Sequence, residues 1–291
     1  MPSFAEWISQ IANGLNLGLL YAMVALGLML VLGVMEVLNF SHGVLITLGA
    51  YFALTIRAKV GYVPALILCP IFVGAVGLFL ERVTIRRVYG QDPLFGLLIT
   101  FGCAMSIEEL IRMIWGRVGH TFPAPKLMAG PIDLGFMFYS KYRLFLALLA
   151  AFLIFLVWLF LEKTPYGSII KAGVSDSEMV MALGKDLRRL RTYVFALGAI
   201  LAGVAGVIAA PIWSIKSTVG NEFLMASFVV VVLGGIGSFW GTVIGGLLVG
   251  LSISISVMFL PRFSLIVPYI LMAVVILIKP RGIMGEKSLL E

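Results

Sequence analysis

The chain has 291 residues, 61% of them hydrophobic and only 12% charged, with a mean hydropathy of +1.11 and a net charge of +7. Soluble domains carry about a quarter charged residues, so this composition excludes a soluble globular protein and identifies a polytopic helical membrane protein. In such a chain a basic excess sits in loops, where it reports orientation and contact with membrane lipid, and gives no reason to expect nucleic acid as a partner.

A helix needs about 20 apolar residues to cross the hydrocarbon core, and fewer where it is broken inside protein. On that length the sequence predicts an all-α fold with spans near residues 11–34, 40–56, 61–80, 94–114, 144–161, 193–210, 223–235, 240–260 and 264–279. The second and seventh are short, so eight or nine helices cross, within a single transmembrane domain over residues 1–291. No Lys or Arg precedes the first apolar run, which argues against a cleaved signal peptide and keeps the first span in the mature protein. Residues 3–14 are expected to form an amphipathic surface helix with Phe4, Trp7, Ile8 and Ile11 on one side. Glu36 falls in a turn after the first span and is expected to be solvated.

Two clusters interrupt the apolar pattern, one in each half of the chain. Asn39, Phe40, Ser41, His42 and Gly43 open the short second span, and Leu233, Gly234, Gly235, Ile236, Gly237 and Ser238 close the short seventh. Irregular backbone at membrane depth is tolerated only where it is buried in protein or lines a cavity, so a pair of interrupted spans in matching halves points to a transport pathway. The candidate pathway residues are therefore Asn39, Ser41, His42, Gly43, Gly234, Gly235, Gly237 and Ser238. The plainer alternative for His42 and Asn39 is that they satisfy backbone carbonyls between helices. Most other glycines, including Gly198, Gly203 and Gly206 in one span and Gly241, Gly245, Gly246 and Gly250 in another, are expected to allow close helix packing.

Glu108 and Arg112 are spaced to pair on one face of the fourth span, near its outer end. Residues 115–143 form an external loop with four basic residues, three prolines and an aromatic run from Phe136 to Tyr139. Residues 162–192 form the longest strongly charged segment, with basic Lys163, Lys171, Lys185, Arg188, Arg189 and Arg191 and acidic Glu162, Asp176, Glu178 and Asp186. The basic excess places this loop in the cytoplasm. Within it, Ser175-Asp176-Ser177-Glu178 reads as a capping box, with Ser175 as the cap. Met179, Val180, Ala182 and Leu183 supply an apolar surface, and Gly184 closes the helix in the left-handed conformation. A helix of two turns, over 176–183, is marginal alone in water, so it must pack on its own bundle, on a partner protein or on lipid headgroups. With nine spans, twelve basic residues lie on the side of this loop and eight on the other, which puts the N-terminus outside and the C-terminus in the cytoplasm. Asn221 and Glu222 then lie outside, before the seventh span, as a helix cap or as a contact for an external protein.

The sequence offers no catalytic motif, no cofactor site and no metal site. Cys69 and Cys103 lie in apolar spans without histidine neighbours, as packed thiols, and His42 and His120 are far apart. There is no phosphate-binding loop, so energy must come from a partner or from an ion gradient. An ion-coupled secondary transporter is the rival reading, weakened because the acids sit at span ends or in loops.

Gly18-Leu-Leu-Tyr-Ala-Met-Val-Ala-Leu-Gly27, Asn39-Phe-Ser-His-Gly43, Leu48-Gly-Ala-Tyr51, Val232-Leu-Gly-Gly-Ile-Gly-Ser238 and Gly241-Thr-Val-Ile-Gly-Gly246 together resemble the signature of the branched-chain amino acid ABC transporter permease family, of the LivH type. The resemblance covers nearly the whole chain. It implies a permease subunit in the bacterial inner membrane, paired with a second related permease and driven by two cytoplasmic ABC ATPase subunits. A periplasmic or lipid-anchored substrate-binding protein would deliver the cargo. It also implies that the 162–192 loop is the coupling region, so that Ser175, Asp176, Glu178, Met179, Val180, Ala182, Leu183 and Gly184 form a short helix seated in a groove of the ATPase. Family members serve branched-chain and other hydrophobic amino acids, and relatives serve urea and short amides, so the motif leaves the substrate open.

Overall fold

The computed structural model describes residues 3–35, 37–133, 135 and 137–285, with residue 178 in its backbone only. Its elements are α1 (Phe4–Met35), α2 (Ser41–Val60), α3 (Tyr62–Val83), α4 (Pro93–Trp115), β1 (Pro131–Asp133), β2 (Phe138–Ser140), α5 (Lys141–Lys163), α6 (Pro165–Ser175), α7 (Ser177–Ala182), α8 (Leu187–Ala209), α9 (Val219–Gly234), α10 (Phe239–Phe259) and α11 (Val267–Ile278). All nine expected spans are helices. Among the described residues seven are long and apolar enough to cross a membrane, while α9 and α11 are shorter.

Three expectations need correction. Residues 3–14 are not a separate surface helix, because α1 runs unbroken from Phe4. Its start is a reciprocal cap: the Ser3 N–H donates to Glu6 Oε2 at 2.6 Å and the Glu6 N–H donates to Ser3 Oγ at 3.3 Å. The second helix is not short, since α2 runs 20 residues and ends only at Gly61. Arg57 and Lys59 lie in its last turn, where cations suit the negative end of the helix dipole, so they do not mark the end of the span. The seventh is short as expected, and the ninth, expected at greater length, is shorter still. A turn at residues 264–266 takes up the start of that span and leaves 12 residues for α11.

The chain forms two compact units. The first comprises residues 1–26, 124–159 and 226–291. In it α1 and α10 pack antiparallel through facing small residues. A Cβ on Gly14 would lie 2.9 Å from Leu251 Cα, one on Gly18 2.8 Å from Leu247 Cα, and one on Gly250 would overlap the backbone of Gly14 and Gly18. Two Gly-x-x-x-Gly pairs thus face each other, which lets the backbones approach where lipid supplies no hydrophobic drive. Ser254 Oγ lies 2.7 Å from the Gln10 carbonyl, to which it donates, and the Trp7 and Phe259 rings meet at 5.8 Å. The segment between α4 and α5 carries the β1–β2 hairpin, with Ile132 opposite Tyr139.

The second unit comprises residues 27–123 and 160–225. α8 is its centre, flanked by α2 and α3. Gly203 faces Pro70 and Val73 of α3, and Gly206 faces Ile46 and Ala50 of α2 so closely that a Cβ would overlap the Ile46 carbonyl. Tyr51, Phe195, Leu45 and Ile46 are among its fully buried side chains. At one end of α4, Arg112 pairs with Glu108 as the spacing predicts, also with Glu109 at 3.0 Å, and donates to Ser217 Oγ at 3.1 Å.

Candidate functional site

The 162–192 segment folds as three consecutive helices rather than one. α6 was not anticipated. Thr164 caps it, accepting from the Gly167 N–H at 3.1 Å, and Pro165 occupies its first turn, where a missing N–H costs nothing. α6 ends at Ser175. Ser175 is therefore not the cap of α7. Asp176, in an extended conformation at φ −154° and ψ 98°, breaks the first helix and caps the second by accepting from the Met179 N–H at 2.8 Å. A carboxylate suits the positive end of the helix dipole better than a hydroxyl. The expected reach of Glu178 back to the cap lies outside the described residues.

The far end of α7 is closed as the sequence predicts. Gly184 has φ +75°, and its N–H donates to the Met181 carbonyl at 2.9 Å while the Lys185 N–H donates to Val180 at 3.2 Å. This doubly bonded closure needs a left-handed residue at Gly184. Asp186 then caps α8 through the Arg189 N–H at 3.1 Å. The apolar residues divide by direction. Val180 is 3% exposed and anchors α7 to its own unit, whereas Met179, Met181 and Leu183 are 57%, 51% and 72% exposed. Ala182 is exposed as well. Met181 was missing from the sequence-derived surface. What projects is a six-residue helix, capped at both ends, with a flexible apolar tip.

The first pathway cluster lies where the chain turns back along α4. Val37 packs on Gly96, and Thr100 Oγ1 donates to the Leu38 carbonyl at 3.0 Å and accepts from the Phe40 N–H at 3.2 Å. From Gly96 to Thr100 is about 6 Å of helix. The His42 ring lies against Gly27, eight residues before the end of α1. Asn39, Ser41 and His42 are 1%, 0% and 0% exposed. Asn39 Oδ1 accepts from the Ser41 N–H at 3.1 Å and the Ser41 hydroxyl at 2.5 Å, while Asn39 Nδ2 has no partner among the described residues. Gly43 faces Gly220 of α9, whose N–H donates to Thr47 Oγ1 at 3.0 Å. The chain thus enters α2 through a polar, non-helical step at Asn39 inside protein.

The second cluster belongs to the other unit and has a different character. Gly235 and Gly237 take φ +103° and +86° in the α9–α10 turn, and Ser238 caps α10 by accepting from the Gly241 N–H at 3.1 Å. The Ile283 and Met284 N–H groups donate to the Leu233 and Gly234 carbonyls at 2.9 and 3.0 Å. A Cβ on Gly235 would lie 2.5 Å from the Gly285 nitrogen, and one on Gly234 would overlap Gly241. Close backbone crossing explains Gly234 and Gly235, and the left-handed turn conformation explains Gly237.

Sequence reasoning missed a third cluster, where the end of α3 meets α8. Glu81, in the last turn of α3, is wholly buried. Arg86 donates to both its oxygens, Nε to Oε1 at 3.2 Å and Nη2 to Oε2 at 3.0 Å, and the Tyr89 hydroxyl donates to Oε1 at 3.0 Å. Thr192 Oγ1 of α8 lies 3.0 Å from Oε2 and accepts from Arg86 Nη2 at 2.5 Å. Burial, and then the Glu81 carboxylate, push the Tyr89 phenol far above its ordinary pKa of 10, so it stays a donor. The only sequence signal was an acid at the end of an apolar run with a basic residue five places on.

Comparison with known proteins bears on the whole chain. The family model described as "Branched-chain amino acid transport system / permease component" matches residues 10–276. The chain is 28% identical to the high-affinity branched-chain amino acid transport system permease protein BraD of Pseudomonas aeruginosa, over 98% of both chains. It is 29% identical to the corresponding protein LivH of Escherichia coli K12, over 97% of both. A probable branched-chain amino acid transport permease protein LivM of Methanocaldococcus jannaschii is 27% identical over 50% of this chain and 47% of its own. No solved structure matches.

Proposed function

This chain belongs to the family of branched-chain amino acid transport system permease components, and from that premise we propose that it is the membrane-spanning subunit of an ATP-driven importer. Its cargo is a branched-chain or other hydrophobic amino acid; branched-chain amino acids are the cargo that the names of its relatives BraD and LivH give. It works in a bacterial inner membrane beside a second related permease, with two cytoplasmic ABC ATPase subunits below and a periplasmic or lipid-anchored binding protein above. The α7 knuckle and the C-terminus face the cytoplasm, on the side of the larger basic count.

The observation that carries this reading is the apolar tip of α7. Met179, Met181 and Leu183 project from a helix fixed at both ends by Asp176 and Gly184 and held at its base by Val180. Unbranched methionines fill irregular gaps, which suits a groove on a partner protein that changes shape during its cycle. The substrate route runs past the non-helical step at Asn39 and the first turn of α2, at Ser41, His42 and Gly43, because polar groups at depth are otherwise hard to justify. No part of the route is assigned to Gly234, Gly235, Gly237 or Ser238, whose identities follow from the α9–α10 turn.

Replacing Met179 and Leu183 together with aspartate tests the coupling site. Both are exposed, so insertion and folding should persist, while co-purification of the ATPase and ATP-driven uptake fall at least tenfold. Retained uptake in that variant, or uptake by this chain alone in vesicles without ATP, would favour an ion-driven carrier and overturn the proposal.

A further inference from the structure

The buried Glu81 cluster ties four segments of the second unit together. Through Arg86 and Tyr89 it holds the α3–α4 connection, and through Thr192 it holds the first turns of α8. Arg191, the next residue back, carries the chain of contacts onward. Its guanidinium carbon sits 4.9 Å over the Tyr89 ring and its Nε donates to the Val34 carbonyl, in the last turn of α1, at 3.2 Å. The path Glu81–Tyr89–Arg191–Val34 therefore links the ends of α3 and α1 to α8. α8 in turn begins two residues after the closure of α7, and Gly173 of α6 lies against Leu187 and Leu190 of α8.

A buried carboxylate is a poor way to stabilise a helix end. An apolar side chain of similar size would avoid stripping water from the charge, and buried ion pairs are often no better for stability than well-packed apolar replacements. What such a network supplies is a defined geometry: a bidentate guanidinium, a phenol and a hydroxyl fix the carboxylate from three directions. Thr192 has one proton, and the charged oxygen is the stronger of the acceptors within its reach. Shifting α8 along α3 by half a turn would break several of these bonds together, so the segments move as a block or not at all.

We propose that Glu81 is a positioning residue for coupling: it clamps the α6–α7–α8 knuckle to the ends of α1 and α3, so that displacement of α7 by a partner reaches the membrane helices instead of being lost in the connecting loops. This rests on the docking reading of α7 and adds to it the element that receives the stroke.

The test uses the complete transporter reconstituted in liposomes with its ATPases and binding protein, measuring ATPase co-purification, ATP hydrolysis and substrate uptake per ATP hydrolysed. For Glu81→Gln we expect co-purification and hydrolysis within about twofold of the parent and uptake per ATP lowered at least tenfold. Thr192→Val and Tyr89→Phe, which each remove one hydroxyl, should lower the same ratio about threefold. A merely structural role would reduce the amount of assembled transporter and leave uptake per ATP unchanged. An unchanged ratio in assembled Glu81→Gln overturns the proposal; should that variant fail to assemble, unchanged ratios in both hydroxyl variants overturn it. The docking reading fails separately, if the Met179→Asp, Leu183→Asp variant still co-purifies with the ATPase.

Discussion

At the scale of single residues, the knuckle depends on two positions whose chemistry cannot be exchanged. Asp176 holds α7 to its start through one charge-assisted bond, and Gly184 closes it in a conformation that costs an L-residue roughly 1–2 kcal/mol. Asp176→Ala is expected to cost about 1 kcal/mol of local helix stability and Gly184→Val about 1–2 kcal/mol, while Asp176→Asn retains the cap. Because a six-residue helix has little stability to spare, either loss should open it, read as faster amide exchange from Met179 to Lys185 with exchange in α8 unchanged. These two positions also mark how far the sequence could be read. Gly184 was legible because closure by glycine is local. The cap was misplaced by one residue because Ser175 and Asp176 both satisfy the local rule, and only the end of α6 at Ser175 decides between them. Of the Glu81 cluster only the local pairing with Arg86 left a trace in the sequence, since Thr192 lies 111 residues away and only the packing of α3 on α8 brings them together.

At the scale of helices, apolar length located all nine membrane-type elements, and polar or glycine punctuation located their breaks. The failures came where one residue type serves two purposes. α6 escaped notice because Gly167 and Gly173 lower its helix propensity, yet both sit where α6 packs, Gly167 against the backbone of Phe160 and Leu161. Elsewhere glycine is the packing surface itself, and this carries a prediction. Gly250→Val would drive a side chain into the backbone of α1 at Gly14 and Gly18, at a cost of about 1–3 kcal/mol or more. Gly102→Ala, with open space around its α-carbon, should be neutral or stabilising by up to about 1 kcal/mol. Thermal midpoints of the two variants in detergent should therefore move in different directions from the parent, or only the first should move. Equal loss in both would mean that close α1–α10 packing is not what holds the first unit.

At the scale of the whole chain, the question is which helices cross. α9 has 16 residues and α11 has 12, about 24 and 18 Å of helix, against a hydrocarbon core of about 30 Å. The bonds from Ile283 and Met284 to Leu233 and Gly234 hold residues 283–284 level with the end of α9. α10 has 21 residues, about 31 Å, so the return leg through α11 must cover the same height, with the turn at 261–266 and residues 279–280 supplying what the helix lacks. The side on which the chain ends therefore depends on α9 alone. The Gly220 N–H at its start donates to Thr47 Oγ1 of α2, inside the second unit, and the orientation proposed above requires α9 to complete the crossing. Single cysteines introduced at Leu183, Arg281 and Lys126 in a chain lacking Cys69 and Cys103 should then divide two against one: the first two labelled by an impermeant thiol reagent only from the cytoplasmic side, the third only from outside. Labelling of position 281 from outside would mean that α9 turns back without crossing, and labelling of position 183 from outside would remove α7 from the reach of any cytoplasmic ATPase.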